Sequence, residues 1–234
     1  MYINTKYLNF VYENEVVVQE KTKPDGKDDV GVVLKKQDLG YLYLKTGHIV
    51  ANDPLVLSET DPFTVVVTPG NYLVYIHVAH FDSPVSGLNK RVAFATLKFS
   101  DNKAVKWEMA LVENQDTGEL GDNQFFGYAV DSGTGGFMDK SVADELTAKL
   151  NAIGMDNYDE IFAKIDKQMD EAYTRLHSYG YAIDNMTGGT EHDFAAFSSG
   201  DGDGLYPSYF GYDENGKPCI LVTDFCFLGA DERQ

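Results

Sequence analysis

The chain has 234 residues, of which 43% are hydrophobic, and its 37 acidic and 19 basic side chains give a formal net charge of −18. This length and composition predict a folded chain with a buried core. The charge repels a phosphate backbone and no Lys/Arg cluster offsets it, so we expect no direct binding to nucleic acid. The acidity has two interpretations, a solubilising surface and a surface that docks a basic protein partner.

The sequence also predicts a cytoplasmic location. Residues 1–8 lack the charged and apolar regions of a signal peptide, and no apolar run is long enough to cross a membrane. The only two cysteines, Cys219 and Cys226, stand too far apart to bridge within one extended strand. We expect two buried free thiols in a reducing compartment.

The first half of the chain has the pattern of strands joined by tight turns. The β-branched and aromatic runs 16–18, 30–34 and 41–44 predict strands. Pro69 and Gly70 predict a turn that joins strands 63–67 and 72–78 into one hairpin. Residues 100–103 are expected to join strands 91–99 and 104–111 into another.

Two consecutive helices follow. Ser141 and Asp144 predict the start of the first helix and Gly154 its end. The second is expected to begin at Asp156, and its apolar stripe predicts a face packed on a core. Strands return at 195–197, 206–212 and 218–227, with Asn-Gly at 215–216 as the turn of a hairpin.

Together these elements predict an α+β fold, a mostly antiparallel, sandwich-like β-sheet with two consecutive helices inserted near residues 140–177. We expect residues 1–234 to form a single domain. Residues 1–135 would be mainly strands, residues 140–177 the helical pair, and residues 190–228 the C-terminal strands that complete the sheet.

The first segment with a functional pattern is the glycine-rich loop Asp131-Ser-Gly-Thr-Gly135. It resembles the phosphate loop of actin-like sugar kinases, in which backbone amides cradle phosphate and an acidic residue works through a metal ion. Such kinases have two related halves and a second phosphate loop, and this chain has no internal repeat, which disfavours kinase homology. The alternative is a glycine turn that leads into the helix after Asp139.

The second such segment is Ser199-Gly-Asp-Gly-Asp-Gly204. Aligned on an EF-hand loop, it has Ser199 at position 1 and Phe210 at position 12, where carboxylates are required, so an EF-hand is excluded. A different Mg²⁺ or Ca²⁺ site stays open. Its ligands would come from the four carboxylates of the two loops, Asp131, Asp139, Asp201 and Asp203; the alternative is that these side chains face water.

These segments resemble a bacterial protein family, domain of unknown function 4241, over roughly residues 45–228. The resemblance is carried by Asp53-Pro-Leu, Pro69-Gly-Asn-Tyr, Arg91-Val-Ala-Phe-Ala, Trp107-Glu-Met-Ala, residues 126–135, residues 199–206 and Thr223-Asp-Phe. It implies a bacterial or phage origin. It also implies that Asp203 is the family aspartate and that Asp201 occupies a variable position. It brings no established activity.

The leading hypothesis is a non-enzymatic cytosolic binding or accessory protein with an acidic interaction surface, in the manner of immunity or defence proteins. The alternative is a divalent-metal-dependent hydrolase, or a binder of a small phosphorylated ligand, at the two loops. The ligand-binding candidates are Asp131, Gly133, Thr134, Gly135, Ser199, Gly202, Gly204 and Tyr206. The candidate ligands for Mg²⁺ or Ca²⁺ are Asp131, Asp139 and Asp203.

Overall fold

The computed structural model describes residues 8–9, 16–22, 29–57, 60–83, 87–122, 124–154 and 157–228. Strands and two long helices follow one another along these segments. In chain order they are β1 (Val16–Thr22), β2 (Asp29–Leu44), β3 (Ile49–Asn52), β4 (Gly70–Ser83), β5 (Gly87–Lys98), β6 (Lys106–Met109), β7 (Tyr128–Val130), β8 (Thr134–Asp139), α1 (Lys140–Ile153), α2 (Asp159–Leu176), β9 (Tyr181–Asp184), β10 (Phe194–Ser198), β11 (Gly204–Tyr206), β12 (Ser208–Tyr212) and β13 (Pro218–Asp224).

The strands form three sheets with antiparallel pairing. The largest has seven strands in the order β1-β2-β4-β5-β13-β12-β6, the second has four in the order β3-β8-β10-β9, and the third pairs β11 with β7. The fold is therefore α+β, mostly antiparallel and sandwich-like, with the helical pair between β8 and β9, as the sequence predicts.

The four-stranded sheet is buried on both faces, and β10 shows how. Successive side chains of a strand point to opposite faces. Ala195 and Phe197 pack into the core shared with the seven-stranded sheet, whereas Phe194 and Ala196 pack against the helices. The strand is for this reason almost continuously apolar rather than alternating. The result is three layers: the large sheet, the smaller sheet and the helices.

Helix α1 begins two residues before the predicted start and is capped by a different residue. Asp139, not Ser141, is the N-cap residue, and its side chain accepts from the Ser141 N–H. Val142, Leu146 and Leu150 recur at a spacing of four and face the four-stranded sheet. Gly154 ends the helix with φ +82°, as predicted.

Helix α2 runs over Asp159–Leu176, and the predicted start, Asp156, lies outside the described residues. Phe162, Ile165 and Ala172 are its buried face, in agreement with the predicted stripe. Neither α1 nor α2, the long helices of the described segments, has the length and apolar character needed to cross a bilayer.

Both predicted hairpins in the first half are wrong. Strand β5 pairs with β13, and β6 pairs with β12, so the C-terminal hairpin lies between the two strands that were expected to be partners. Residues 63–67 form only isolated bridges, Phe63 with Val112 and Val66 with His48. The C-terminal hairpin itself is confirmed.

The runs 30–34 and 41–44 belong to one strand, not two. Strand β2 continues through both because a bulge between Asp38 and Gly40 keeps the pairing with β4 in register. Gly40 has φ +141°, a conformation that other residues rarely adopt, and it absorbs the extra residue of the bulge.

Candidate functional site

The two Gly/Asp loops lie side by side because the strands that flank them are paired. Residues 131–133 connect β7 to β8, and residues 199–203 connect β10 to β11. At one end of the loops Val130 pairs with Gly204, and at the other end Thr134 pairs with Ser198. The loops therefore start and finish as neighbours although some 70 residues separate them. We call residues 131–133 and 199–203 the two-loop site.

Direct hydrogen bonds join the loops at Gly133. Its carbonyl accepts from the Ser199 N–H at 3.1 Å, and its N–H donates to Asp203 Oδ1 at 2.9 Å. Gly133 has φ +68°, so a side chain at this position would strain the backbone. A carboxylate acceptor strengthens such a bond relative to a neutral one. One oxygen of Asp203 is thus used to fix the two loops to each other.

Buried Asp53 holds the first loop from beneath. Its Oδ2 accepts from the Asp131 and Ser132 N–H groups at 2.9 and 2.7 Å, and its Oδ1 accepts from the Ser132 hydroxyl at 2.8 Å. Oδ1 also accepts from the Leu55 and Val56 N–H groups. Asp53 therefore orders both its own turn and the first loop.

Sequence reasoning assigned Asp53 no role, although the residue is part of the family resemblance. The available signal was the tripeptide Asn52-Asp53-Pro54 after the apolar residues 49–51, since Asp commonly accepts from N–H groups two and three residues further on.

Hydrogen bonds to the Gly202 carbonyl order the second loop, and one of them comes from the Tyr206 hydroxyl. This hydroxyl donates to the Gly202 carbonyl at 2.7 Å, and the Ser199 hydroxyl donates to the same carbonyl at 2.8 Å. Burial, with the nearby Cys226, Asp201 and Asp203, raises the pKa of Tyr206 to about 12. Of the predicted ligand-binding residues, Ser199 and Tyr206 thus direct their polar atoms into the loop itself.

The glycines that follow the first loop are required by close packing. A Cβ at Gly135 would lie 2.8 Å from the Tyr128 hydroxyl and 3.2 Å from the Phe225 ring. Thr134 beside it is buried, with its hydroxyl directed to the Ser132 carbonyl at 3.5 Å. Directly after the second loop, a Cβ at Gly204 would lie 3.0 Å from the Tyr206 ring. These contacts agree with the glycine-turn interpretation of the motif.

Asp139 has a structural role at the start of helix α1. It is fully buried, and its carboxylate accepts from five donors: the N–H and hydroxyl of Thr46, the N–H of Gly47, and the N–H and hydroxyl of Ser141. It caps α1 and ties that helix to the turn before β3. Five donors leave its oxygens saturated by the protein.

The structure does not support the metal site that the sequence suggested. In the segments described, no three His, Cys, Asp or Glu side chains are grouped so that they could hold a metal ion, and this includes the set Asp131, Asp139 and Asp203. The physical reason is that the three side chains have different structural environments. Asp139 caps a helix in the interior, Asp203 binds the Gly133 amide, and the Asp131 side chain is exposed.

What the two-loop site presents to solvent is acidic. The side chains of Asp131, Asp201 and Asp203 are exposed, and Arg91 of β5 pairs with Asp201 at 3.3 Å. Next to them on β11, Leu205 is 49% exposed. We call these four side chains, Asp131, Asp201, Asp203 and Leu205, the two-loop surface.

Fold and site together define a mostly antiparallel α+β protein with an acidic surface on two joined Gly/Asp loops. The chain belongs to the family described as Protein of unknown function (DUF4241), whose model matches residues 42–223. That range includes Asp53, Asp139 and both loops. Searches of curated proteins and of solved structures found no match to this chain.

Proposed function

We propose that this protein is a non-enzymatic binding protein whose two-loop surface docks a basic protein partner. The observation that carries the proposal is the joining of the two loops. Hydrogen bonds through Gly133 hold three exposed carboxylates of two distant segments in one place. A surface ordered before binding loses less conformational entropy on association than one ordered by its partner.

The chemistry of the surface specifies the partner. Complementary potentials steer association and select among partners, so three carboxylates beside a single arginine, Arg91, favour a patch of Lys and Arg. Leu205 adds an exposed apolar side chain beside these carboxylates, and interfaces commonly combine an apolar centre with a polar rim. The net charge of −18 extends the attraction beyond the contact itself.

The state of the two cysteines bears on the compartment. Cys219 and Cys226 do not form a disulfide; Cys219 is buried and Cys226 is half-buried. Free thiols are typical of a reducing compartment, which supports a cytoplasmic site of action within this proposal.

The test compares two variants of equal net charge. In the first, Asp131→Asn, Asp201→Asn and Asp203→Asn neutralise the two-loop surface; Asn at position 203 keeps an oxygen for the Gly133 N–H. In the second, Glu160→Gln, Asp170→Asn and Glu171→Gln neutralise three exposed side chains of α2. Wild-type and variant proteins are immobilised, exposed to a bacterial lysate, and eluted with graded salt.

We expect basic proteins that bind the wild type and the α2 variant, are lost from the loop variant, and elute as salt rises, because salt screens exposed charges. Capture that is equal on both variants, or that salt does not weaken, would count against docking at the two-loop surface.

A further inference from the structure

A recess with three lysines in its lining lies on the large sheet. It is a cleft of about 270 Å³ on the outer face of the seven-stranded sheet. Tyr75, His77 and Trp107 line it, and Tyr75 and Trp107 belong to the apolar cluster on the face turned away from the four-stranded sheet. Tyr75 and His77 are two residues apart on β4, so both side chains point to this face.

Lysine side chains surround this aromatic floor. Lys36, Lys98 and Lys103 line the cleft together with one acidic residue, Asp101, in a chain that has 19 basic residues against 37 acidic ones. Lys36 Nζ stands 4.3 Å from the centre of the Tyr75 ring, which places its charge over the aromatic face. We call Lys36, Lys98, Lys103 and the three floor residues the basic cleft.

The acidic partners of Lys36 and Lys98 are exposed. Lys36 pairs with Asp38 at 3.3 Å, and Lys98 pairs with Asp101 at 2.5 Å, with the Asp101 side chain 97% exposed. Ion pairs open to water are weak because the solvent competes for both charges. An anion that is partly removed from water inside the cleft can therefore compete with Asp101 for Lys98.

The buried histidine on the floor of the cleft carries no charge of its own. His77 is buried, with its ring edge-on to Tyr75 and to Phe94. Burial, and after it the charge of Lys36, lowers the pKa of His77 to about 3. The imidazole is therefore neutral near pH 7 and adds a polar ring, while the cleft's positive charge comes from lysine.

We propose that the basic cleft binds a small organic anion in which a planar or aromatic group carries a phosphate or a carboxylate. The planar group would lie against Trp107 and Tyr75, and the anionic group would meet Lys36, Lys98 and Lys103. Such a combination of apolar lining and a few placed polar groups is usual for small-ligand sites. The inference does not depend on the two-loop surface, and either can fail without the other.

The chain offers a site-specific readout. Trp107 is its only Trp, so intrinsic Trp fluorescence reports on this cleft alone. Phenyl phosphate and benzoate are the aromatic probes, and inorganic phosphate is the probe without a ring. We expect a saturable change in emission with at least one aromatic probe below about 10 mM, a concentration range that corresponds to weak binding. Whichever aromatic probe binds more tightly identifies the anionic group.

Matched variants test the lysines. Lys36→Gln with Lys98→Gln removes two cleft cations, each from an exposed ion pair. Lys106→Gln with Lys167→Gln removes two cations outside the cleft, whose side chains are 67% and 75% exposed and which also pair with acidic residues. We expect at least about a tenfold loss of affinity in the cleft variant and less than about a twofold change in the control.

Three outcomes would overturn the proposal. One is that no probe gives saturable binding to the wild type. A second is inorganic phosphate that binds as tightly as the aromatic probes. The third is a cleft variant that matches the control, with urea midpoints of both variants measured to establish that they are folded.

Discussion

The role of Asp53 is tested by Asp53→Asn, which keeps the size of the side chain and removes its charge. The carboxylate accepts from two N–H groups at Oδ2 and from three donors at Oδ1. An amide turns one of these oxygens into an NH₂ group that faces donors, so at least two hydrogen bonds are lost in either orientation.

The magnitude follows from the type of bond. A hydrogen bond to a charged group contributes about 1.5–3 kcal/mol, so losing two predicts a decrease of about 3–6 kcal/mol in the free energy of unfolding. That is a large share of the roughly 5–15 kcal/mol that folded proteins have. At about 2–4 °C per kcal/mol for a chain of this size, the lower bound corresponds to a Tm decrease of roughly 6–12 °C.

Urea unfolding followed by circular dichroism measures the loss, and amide hydrogen exchange at residues 131 and 132 locates it. The matched control is Asp131→Asn, whose exposed side chain lies on the same loop and should change stability by less than about 0.5 kcal/mol. An Asp53→Asn protein within about 0.5 kcal/mol of wild type, with exchange at residues 131 and 132 unchanged, would refute the assigned role.

Two further predictions concern packing and pH. Gly135→Ala should destabilise the protein by about 1–3 kcal/mol, because the added Cβ meets the Tyr128 hydroxyl and the Phe225 ring in a packed interior, and urea unfolding measures this. Asp184 has a lowered pKa: burial alone would raise it, but Lys164 and other hydrogen-bond donors outweigh burial. Its stabilising effect is present above the unfolded-state pKa of about 3.9 and is lost as pH falls through the lower folded value, so the stability difference between wild type and Asp184→Asn should shrink below about pH 4.

A control variant tests the packing prediction, and the pH range tests the pKa prediction. Gly31→Ala is the control for Gly135→Ala, since a Cβ at Gly31 meets nothing within 4 Å, and it should be neutral or slightly stabilising. Equal effects of the two substitutions would contradict the packing argument. For Asp184, a stability difference that stays constant from pH 6 to pH 3 would contradict the pKa argument.

Local patterns predicted local structure well in this chain. The spacing of apolar residues located both helices, Gly154 marked the end of the first, and Asn-Gly at 215–216 located a hairpin. In each case the residues that carry the pattern are the same residues that form the helix or the turn. The α+β class followed from the order of these elements.

Strand partners were not predictable in the same way. Residues 100–103 have turn character, and the strands on either side were therefore expected to pair. Instead, the hairpin of β12 and β13, more than 100 residues later, lies between them, with β13 paired to β5 and β12 paired to β6. Partner choice depends on which faces bury together across the whole sheet, and a single sequence contains no direct record of that.

In the candidate site, too, local features were predictable from the sequence and long-range pairing was not. The sequence identified the two loops, but whether they meet depends on the pairing of β7 with β11 and of β8 with β10. Asp139 was assigned to a metal because its residue type is that of a ligand. Its position directly before a helix was the better guide, since Asp is a preferred N-cap residue.

The central claim is that the two-loop surface binds a basic partner, and its most direct test is the affinity of one captured partner, purified, for three forms of this protein. Calorimetric titrations at about 50 and 200 mM salt would compare wild type, the loop variant and the α2 variant. We expect the loop variant to bind at least about tenfold more weakly than the α2 variant at low salt, with the gap narrowing at high salt. Equal affinities for the two variants, or a gap that salt leaves unchanged, would contradict the account.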